Sequence, residues 1–306
     1  MPVSTWAIAE PQKLTFDAPV TSLAVRIVGG AVNVVGTDEP TARLEISEIE
    51  GPPLIVTQED GALTVAYEGL PWNDFLRSMD FPKLFDRAGW NRSAVVSLAV
   101  PAGAAVTLGV VGAAAVVSGI HGRTEIRGVS GDTTLVGLAG PVRAETVSGG
   151  VEAQGGTGEL RFRTVSGDLT VVEGAGASVR ADSVNGDMVL DLDPSDRPTD
   201  VRLTTVSGEI AIRLPHPANA TVEANTASGA VSNGFEDLRV SGGWGTKKIT
   251  GTLGAGTGNL RATTVSGSIA LLRRPAAEGD PHGTGPATTE PGPAAPTIDE
   301  PTGKVL

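Results

Sequence analysis

Apolar and polar residues alternate along most of this chain in short runs, and the runs end at glycine-rich corners. Leu160-Arg161-Phe162-Arg163-Thr164-Val165 leads into the corner Ser166-Gly167-Asp168, and Leu169-Thr170-Val171-Val172-Glu173 leads out of it. Alternation with a period of two marks a half-buried strand. The corner returns as Val129-Ser130-Gly131-Asp132, Val147-Ser148-Gly149-Gly150, Val184-Asn185-Gly186-Asp187, Val206-Ser207-Gly208-Glu209, Ala227-Ser228-Gly229-Ala230 and Val265-Ser266-Gly267-Ser268. Units cut at the Ser or Asn run 130–147, 148–165, 166–184, 185–206 and 207–227, whereas the last, 228–265, is about two periods long. A repeat of this length with strands and glycine corners is one turn of a parallel β-helix, in which each turn buries its apolar side chains only against its neighbours.

The pattern therefore predicts an all-β, single-domain parallel β-helix, a right-handed solenoid of 18–22-residue coils over residues 1–272. Its inward column is expected to hold Val129, Val147, Val165, Val184, Val206 and Val265, joined by Leu135, Leu169, Met188 and Ile210. Corner glycines are expected to take positive φ, with the preceding Ser or Asn bonding the local backbone. Val25 to Val34, Leu63 to Tyr67 and Val95 to Val100 continue the same strand pattern toward the N-terminus. Open ends of such a stack must be blocked, and Arg273-Arg274-Pro275 is the expected block after the strand Ile269 to Leu272.

Two segments break the pattern. Residues 70–92 hold five of the eleven aromatics and read as a short helical or irregular insertion, with Asn73 as a helix cap. Trp72, Phe75, Leu76, Met79, Phe81, Leu84, Phe85 and Trp90 of this segment have two open roles. They cap the N-terminal coil, or they dock on a protein partner or a second copy, since aromatics and Met dominate interface hot spots. Residues 273–306, rich in Pro, Gly, Ala, Thr and acid, read as a disordered tail. Lys247-Lys248 beside Trp244 suggests a hairpin insertion over 234–250.

Composition narrows the function. Twenty-three basic against thirty-five acidic residues give a net charge of −12, the wrong sign for tracking nucleic acid or an anionic leaflet. The absence of Cys removes disulfides, zinc-thiolate sites and thiol nucleophiles. No apolar run is long enough for a membrane span, and Met1-Pro2-Val3-Ser4-Thr5-Trp6 lacks the basic and apolar regions of a signal peptide, so the expected location is cytoplasmic.

Candidate chemistry is sparse. Stacked coils would place Asp168, Asp187 and Glu209 one above another, a possible calcium column because hard cations take oxygen ligands. The plainer reading splays these carboxylates into solvent. Asp191 and Asp193, with Asp196 and Asp200, form the one dense acidic patch, read here as a solvated loop. It is the only foothold for a polysaccharide lyase or hydrolase, which needs clustered acids in a groove. His121, His216 and His282 are isolated. No phosphate-binding loop, His-Glu-x-x-His or nucleophile elbow occurs, and no cofactor is implied.

The repeated Thr-Val-Ser-Gly-Asp corners, the entry Val28-Gly29-Gly30-Ala31-Val32 and the closing run Gly251 to Gly267 together resemble the bacterial "putative adhesin" β-helix family, domain of unknown function 4097, over roughly residues 20 to 272. That resemblance implies a β-helix without catalytic residues. The expectation is a non-catalytic scaffold or protein-interaction module. The alternatives are a surface adhesin, a calcium-binding β-helix, and a lyase-like enzyme.

Overall fold

The computed structural model describes residues 3–67, 92–175, 178–195, 197–243 and 245–274, and Met1–Arg274 form one compact unit. Twenty-six strands and no helix occur among the described residues. The N-terminal strands are β1 (Ser4–Ile8), β2 (Gln12–Thr15), β3 (Ser22–Ile27), β4 (Gly29–Thr37), β5 (Arg43–Glu50), β6 (Leu54–Glu59), β7 (Ala62–Tyr67) and β8 (Ser93–Pro101). Two-strand coils follow as β9 (Ala105–Val110) with β10 (Ala114–Ser118), β11 (Thr124–Gly128) with β12 (Thr133–Val136), β13 (Val142–Glu145) with β14 (Val151–Gln154), β15 (Leu160–Arg163) with β16 (Leu169–Gly174), β17 (Ser178–Asp182) with β18 (Met188–Leu192), and β19 (Asp200–Thr204) with β20 (Ile210–Leu214). The chain closes with β21 (Ala220–Thr226), β22 (Val231–Asn233), β23 (Leu238–Gly242), β24 (Lys247–Leu253), β25 (Gly258–Thr264) and β26 (Ile269–Arg273).

Each coil gives one strand to each of two sheets. Sheet A runs β1-β6-β7-β3-β9-β11-β13-β15-β17-β19-β25-β21-β24-β23, and sheet B runs β2-β5-β8-β4-β10-β12-β14-β16-β18-β20-β26-β22. The stack does not follow chain order at either end. The coil β3/β4 lies between β7/β8 and β9/β10, and the last coil, β25/β26, fills the slot between β19/β20 and β21/β22. The doubled final unit is thus a coil that skips one slot, an antiparallel β23–β24 hairpin against β21, and a coil that returns to fill it. Arg273-Arg274 consequently does not block an end, because β26 is hydrogen-bonded on both sides. The ends are finished by the three-residue strand β22 and the hairpin strand β23 on one side, and by antiparallel β1 and β2 on the other. At that second end Phe16 and Ile8 are buried and Trp6 packs edge-on against Phe16 at 5.4 Å between ring centroids.

The interior is columnar, since parallel pairing stacks equivalent positions. Leu108, Ile126, Ala144, Phe162, Ala181 and Leu203 are consecutive neighbours across sheet A. Phe162 is 1 % exposed and fits because its two neighbours in the column are alanines. On sheet B, Leu169, Met188 and Ile210 are buried neighbours and Leu135 is buried in the adjoining column, all four as expected.

The valine column departs from expectation. Val165, Val184, Val206 and Val265 are 44–49 % exposed, and Val129 and Val147 only half-buried. The strand alternation explains it: with Leu160 and Phe162 inward, the next inward position is Thr164, and Val165 points out. The buried corner column is therefore Thr146, Thr164, Ser183, Thr205, Thr226 and Thr264. The hydroxyl earns its place locally: the Gly167 amide donates to Thr164 Oγ1 at 2.9 Å, and Thr226 and Thr264 accept likewise from Gly229 and Gly267. The serine two residues on donates its amide to the valine carbonyl one coil away, Ser166 to Val147 at 2.8 Å, Ser207 to Val184 at 2.9 Å and Ser228 to Val265 at 2.9 Å.

Corner glycine has a different cause from the one its turn suggests. Of the seven corner glycines only Gly131 has positive φ, at 100°. The others are required by close approach: a Cβ on Gly149, Gly167, Gly186, Gly208, Gly267 or Gly229 would lie within 3.0 Å of the carbonyl oxygen of the glycine in the adjacent coil. Backbone cannot yield as a flexible side chain can. Gly167→Ala is expected to destabilise the protein by about 2 kcal/mol or more. Gly150→Ala, one residue past its corner and meeting nothing nearer than 3.4 Å, should change stability by less than about 0.5 kcal/mol. Urea midpoints of the two variants check the difference, and equal effects would contradict the close-packing account.

Candidate functional site

The acidic corner column is engaged with backbone. Asp168 Oδ1 accepts the Asp187 amide at 2.8 Å, Asp187 Oδ1 accepts the Glu209 amide at 2.7 Å, and Asp132 Oδ1 accepts the Gly150 amide at 3.1 Å. Asp168, Asp187 and Glu209 do stack as their spacing suggests, and two of the three spend an oxygen on the next coil. Among the described residues no group of three or more His, Asp or Glu is arranged to hold a metal ion.

Asp191 is not in a solvated loop. It lies in β18, 7 % exposed, because the strand runs to Leu192 and the prolines begin only at Pro194. Arg213, its neighbour across the sheet, donates Nε to Asp191 Oδ1 at 2.8 Å, and Arg274 donates Nη2 to Oδ2 at 2.9 Å while also pairing with Asp193. The Arg274 amide bonds the Leu214 carbonyl at 2.9 Å. This cluster ties the returning last coil to β18 and β20. The Arg213 hydrogen bond holds the Asp191 carboxyl below its ordinary value of 3.8, with burial opposing and Arg274 assisting. Asp200 is exposed at the start of β19, and Asp196 lies outside the described residues. The cluster has its acids saturated by arginine, which is bracing rather than acid–base chemistry.

The outward face of sheet A carries the most regular exposed chemistry. In successive strands Arg143, Arg161, Arg180, Arg202 and Arg261 are direct neighbours, with Glu125 before the first and Glu223 after the last. At a strand spacing of about 4.8 Å the five guanidinium stems span roughly 19 Å. Neighbouring like charges at that spacing repel by about 0.9 kcal/mol even in bulk water. Acids relieve part of this: Glu145 bonds Arg143 at 3.0 Å, Glu159 bonds Arg161 at 2.9 Å, and Glu223 bonds Arg261 at 3.0 Å. Lys248 and Asn225 hydrogen bonds hold the Glu223 carboxyl below its ordinary value. Arg180 and Arg202, in the middle, have no acid partner among the described residues, and Arg180 Nε is buried without a hydrogen bond. A recess of about 60 Å³ opens among Arg143, Arg161, Arg163 and Arg180. The outward face of sheet B is different in kind: Val116, Thr134, Glu152, Thr170, Val189 and Ala211 stack there, with one charge.

The ladder was legible as a dipeptide. Val142-Arg143, Leu160-Arg161, Val179-Arg180, Val201-Arg202 and Leu260-Arg261 occupy the same phase of their units. Averaging charge over an acidic chain conceals it.

Residues 130–272 match the Toastrack DUF4097 family model. The Toastrack stretch begins at the second coil corner and includes every arginine of the ladder; β1 to β11 precede it in the same two sheets. Five solved chains match. One from Clostridium sporogenes, named a "putative cell adhesion protein", is 11% identical, with 87% of this chain and 100% of that chain covered and a TM-score of 0.27. Another, from Parabacteroides merdae and named a "putative adhesin", is 12% identical, with 88% and 96% covered and a TM-score of 0.32. No curated protein matches.

The aromatic segment with Trp72, Phe75, Leu76, Met79, Phe81, Leu84, Phe85 and Trp90 lies outside the described residues, as do Trp244 and the tail 275–306. Arg213→Ala is expected to lower the urea midpoint at pH 7, since it strips a buried carboxylate of a charged hydrogen bond. A depressed carboxylate stabilises the fold above its unfolded value and loses that contribution as pH falls through the folded one. The gap between parent and variant should therefore be full at pH 6 to 7 and begin to narrow as pH falls below about 3.8. Urea midpoints measured from pH 7 down to pH 3 test this, and a gap undiminished at pH 3 would contradict it.

Proposed function

We propose that this chain is a non-catalytic β-helical interaction module that presents the outward face of sheet A to a partner. The observation that carries the reading is the continuous column Arg143-Arg161-Arg180-Arg202-Arg261, two of whose members lack an acid partner among the described residues. Corner side chains such as Thr164, Ser148 and Asp168 are bonded to backbone, and Asp191 is bonded to arginine, which supports structural roles for them. A face that repeats one side chain at every coil suits an extended partner rather than a single reacting centre.

The segment 70–92 is a second candidate contact. Ile8, Phe16 and Trp6 already close the N-terminal end of the stack, which removes the physical need for another seal there. On this reading the double variant Trp72→Ala with Phe75→Ala keeps the parent's melting temperature within about 2 °C and loses self-association or partner binding in light scattering after size exclusion. A large drop in melting temperature would instead assign the segment to capping.

The module reading itself is tested with benzophenone side chains placed singly at Asn259, exposed beside the ladder on sheet A, and at Thr170 on sheet B in the producing organism. Irradiation should give adducts at position 259 and few at 170. Equal labelling, or none, would remove sheet A as the binding face. This readout does not depend on what the partner is made of.

A further inference from the structure

We propose that the arginine ladder of sheet A binds a linear carboxylated polysaccharide lying along the stack axis. The proposal rests on the interaction reading above and names its partner class.

Three features of the face select this chemistry. Guanidinium groups take carboxylates in paired, planar hydrogen bonds, and here they repeat at the strand spacing of about 4.8 Å. The ladder does not stand in a uniformly basic field. Ser178 and Asp200 lie in neighbouring strands on one side of Arg180 and Arg202, and Asp182 and Thr204 on the other. Asn259 and Thr263 continue those two flanking columns into β25. Arg180 and Arg202 are thus left to meet an anion between rows of hydroxyl, amide and carboxylate groups, which accept and donate hydrogen bonds to sugar hydroxyls.

The same flanks disfavour other polyanions. Polyphosphate, which has no hydroxyls to offer the flanking rows, would bring phosphates against Asp182 and Asp200, and like charges at contact are repulsive. An extended acidic peptide repeats the side chains of one face every two residues, about 6.7 Å apart, out of step with the ladder. A polymer that alternates carboxylate with hydroxyls matches both rows. The recess beside Arg161 and Arg180 also holds Glu145 and Asp182, which pair with Arg143 and Arg163, so it suits a hydroxyl of the polymer rather than its carboxylate.

Binding of the full chain to polygalacturonate is measured by affinity electrophoresis and calorimetry, with dextran, poly-glutamate and polyphosphate as comparators. Polygalacturonate should bind and dextran should not, the affinity should fall with rising salt, and poly-glutamate and polyphosphate should bind about tenfold more weakly or less. Arg202→Gln, at an exposed position, should weaken binding about tenfold, and Arg180→Gln by at least as much. Unchanged melting of Arg202→Gln guards against a folding effect. No binding to polygalacturonate, equal binding of all three polyanions, or full binding by Arg202→Gln would each overturn the proposal. If crosslinking at position 259 succeeds while polygalacturonate fails, the module reading stands and only the partner class is wrong.

Discussion

The close approach of backbone at the glycine corner is the constraint on which the rest of this structure depends. Six of the seven corner glycines rest against the carbonyl of a glycine in the adjacent coil, and Gly131 against that of Ala113, where no Cβ fits. That contact brings the serine amide to the valine carbonyl and the aspartate carboxylate to the following amide. Five residues, Thr-Val-Ser-Gly-Asp, thus have five distinct duties: an inward hydroxyl that caps the glycine, an outward methyl ridge, a ladder donor, a steric gap and a ladder acceptor.

Once corners are locked in register, every position in a coil becomes a column, and the columns have separate rules. Inside, volume is shared between coils, so Phe162 requires alanine above and below it. Outside, charge is shared, so a repeated arginine becomes a ladder. The two outward faces differ although the chain passes through the same corner to make both, because the residue after the first inward position is arginine in sheet A and mostly Thr, Val or Ala in sheet B. A net charge of −12 therefore coexists with a face whose central column is basic.

The match to Toastrack DUF4097 covers the stretch in which corner and ladder are most regular. The Asp191–Arg213–Arg274 cluster shows how such a stretch is held when its order is rearranged: it joins residues 83 positions apart, and the last described residue of the chain closes it. Its polar groups are directed at one another, whereas Arg180 and Arg202 are directed outward. That difference separates the bracing charges of this protein from the two that we propose face a partner.

The sequence by itself determined the coil: strand alternation, corner spacing and glycine frequency are local, and they specify two-strand turns that stack. It also contained the ladder, as an apolar-Arg dipeptide in the same phase of five units. It misplaced Val165, Val184, Val206 and Val265, because a β-branched residue beside a corner suits either face until the alternation is counted back from Phe162. It could not show that β25/β26 returns to the slot beside β19/β20, since every corner carries nearly the same residues and any coil can pair with any other. Only the tertiary structure decided that order, because a coil that skips a slot leaves two unpaired strand edges that the last coil alone remains to fill. That choice places Arg261 beside Arg202 and lengthens the ladder by one step, where chain order would have put Glu223.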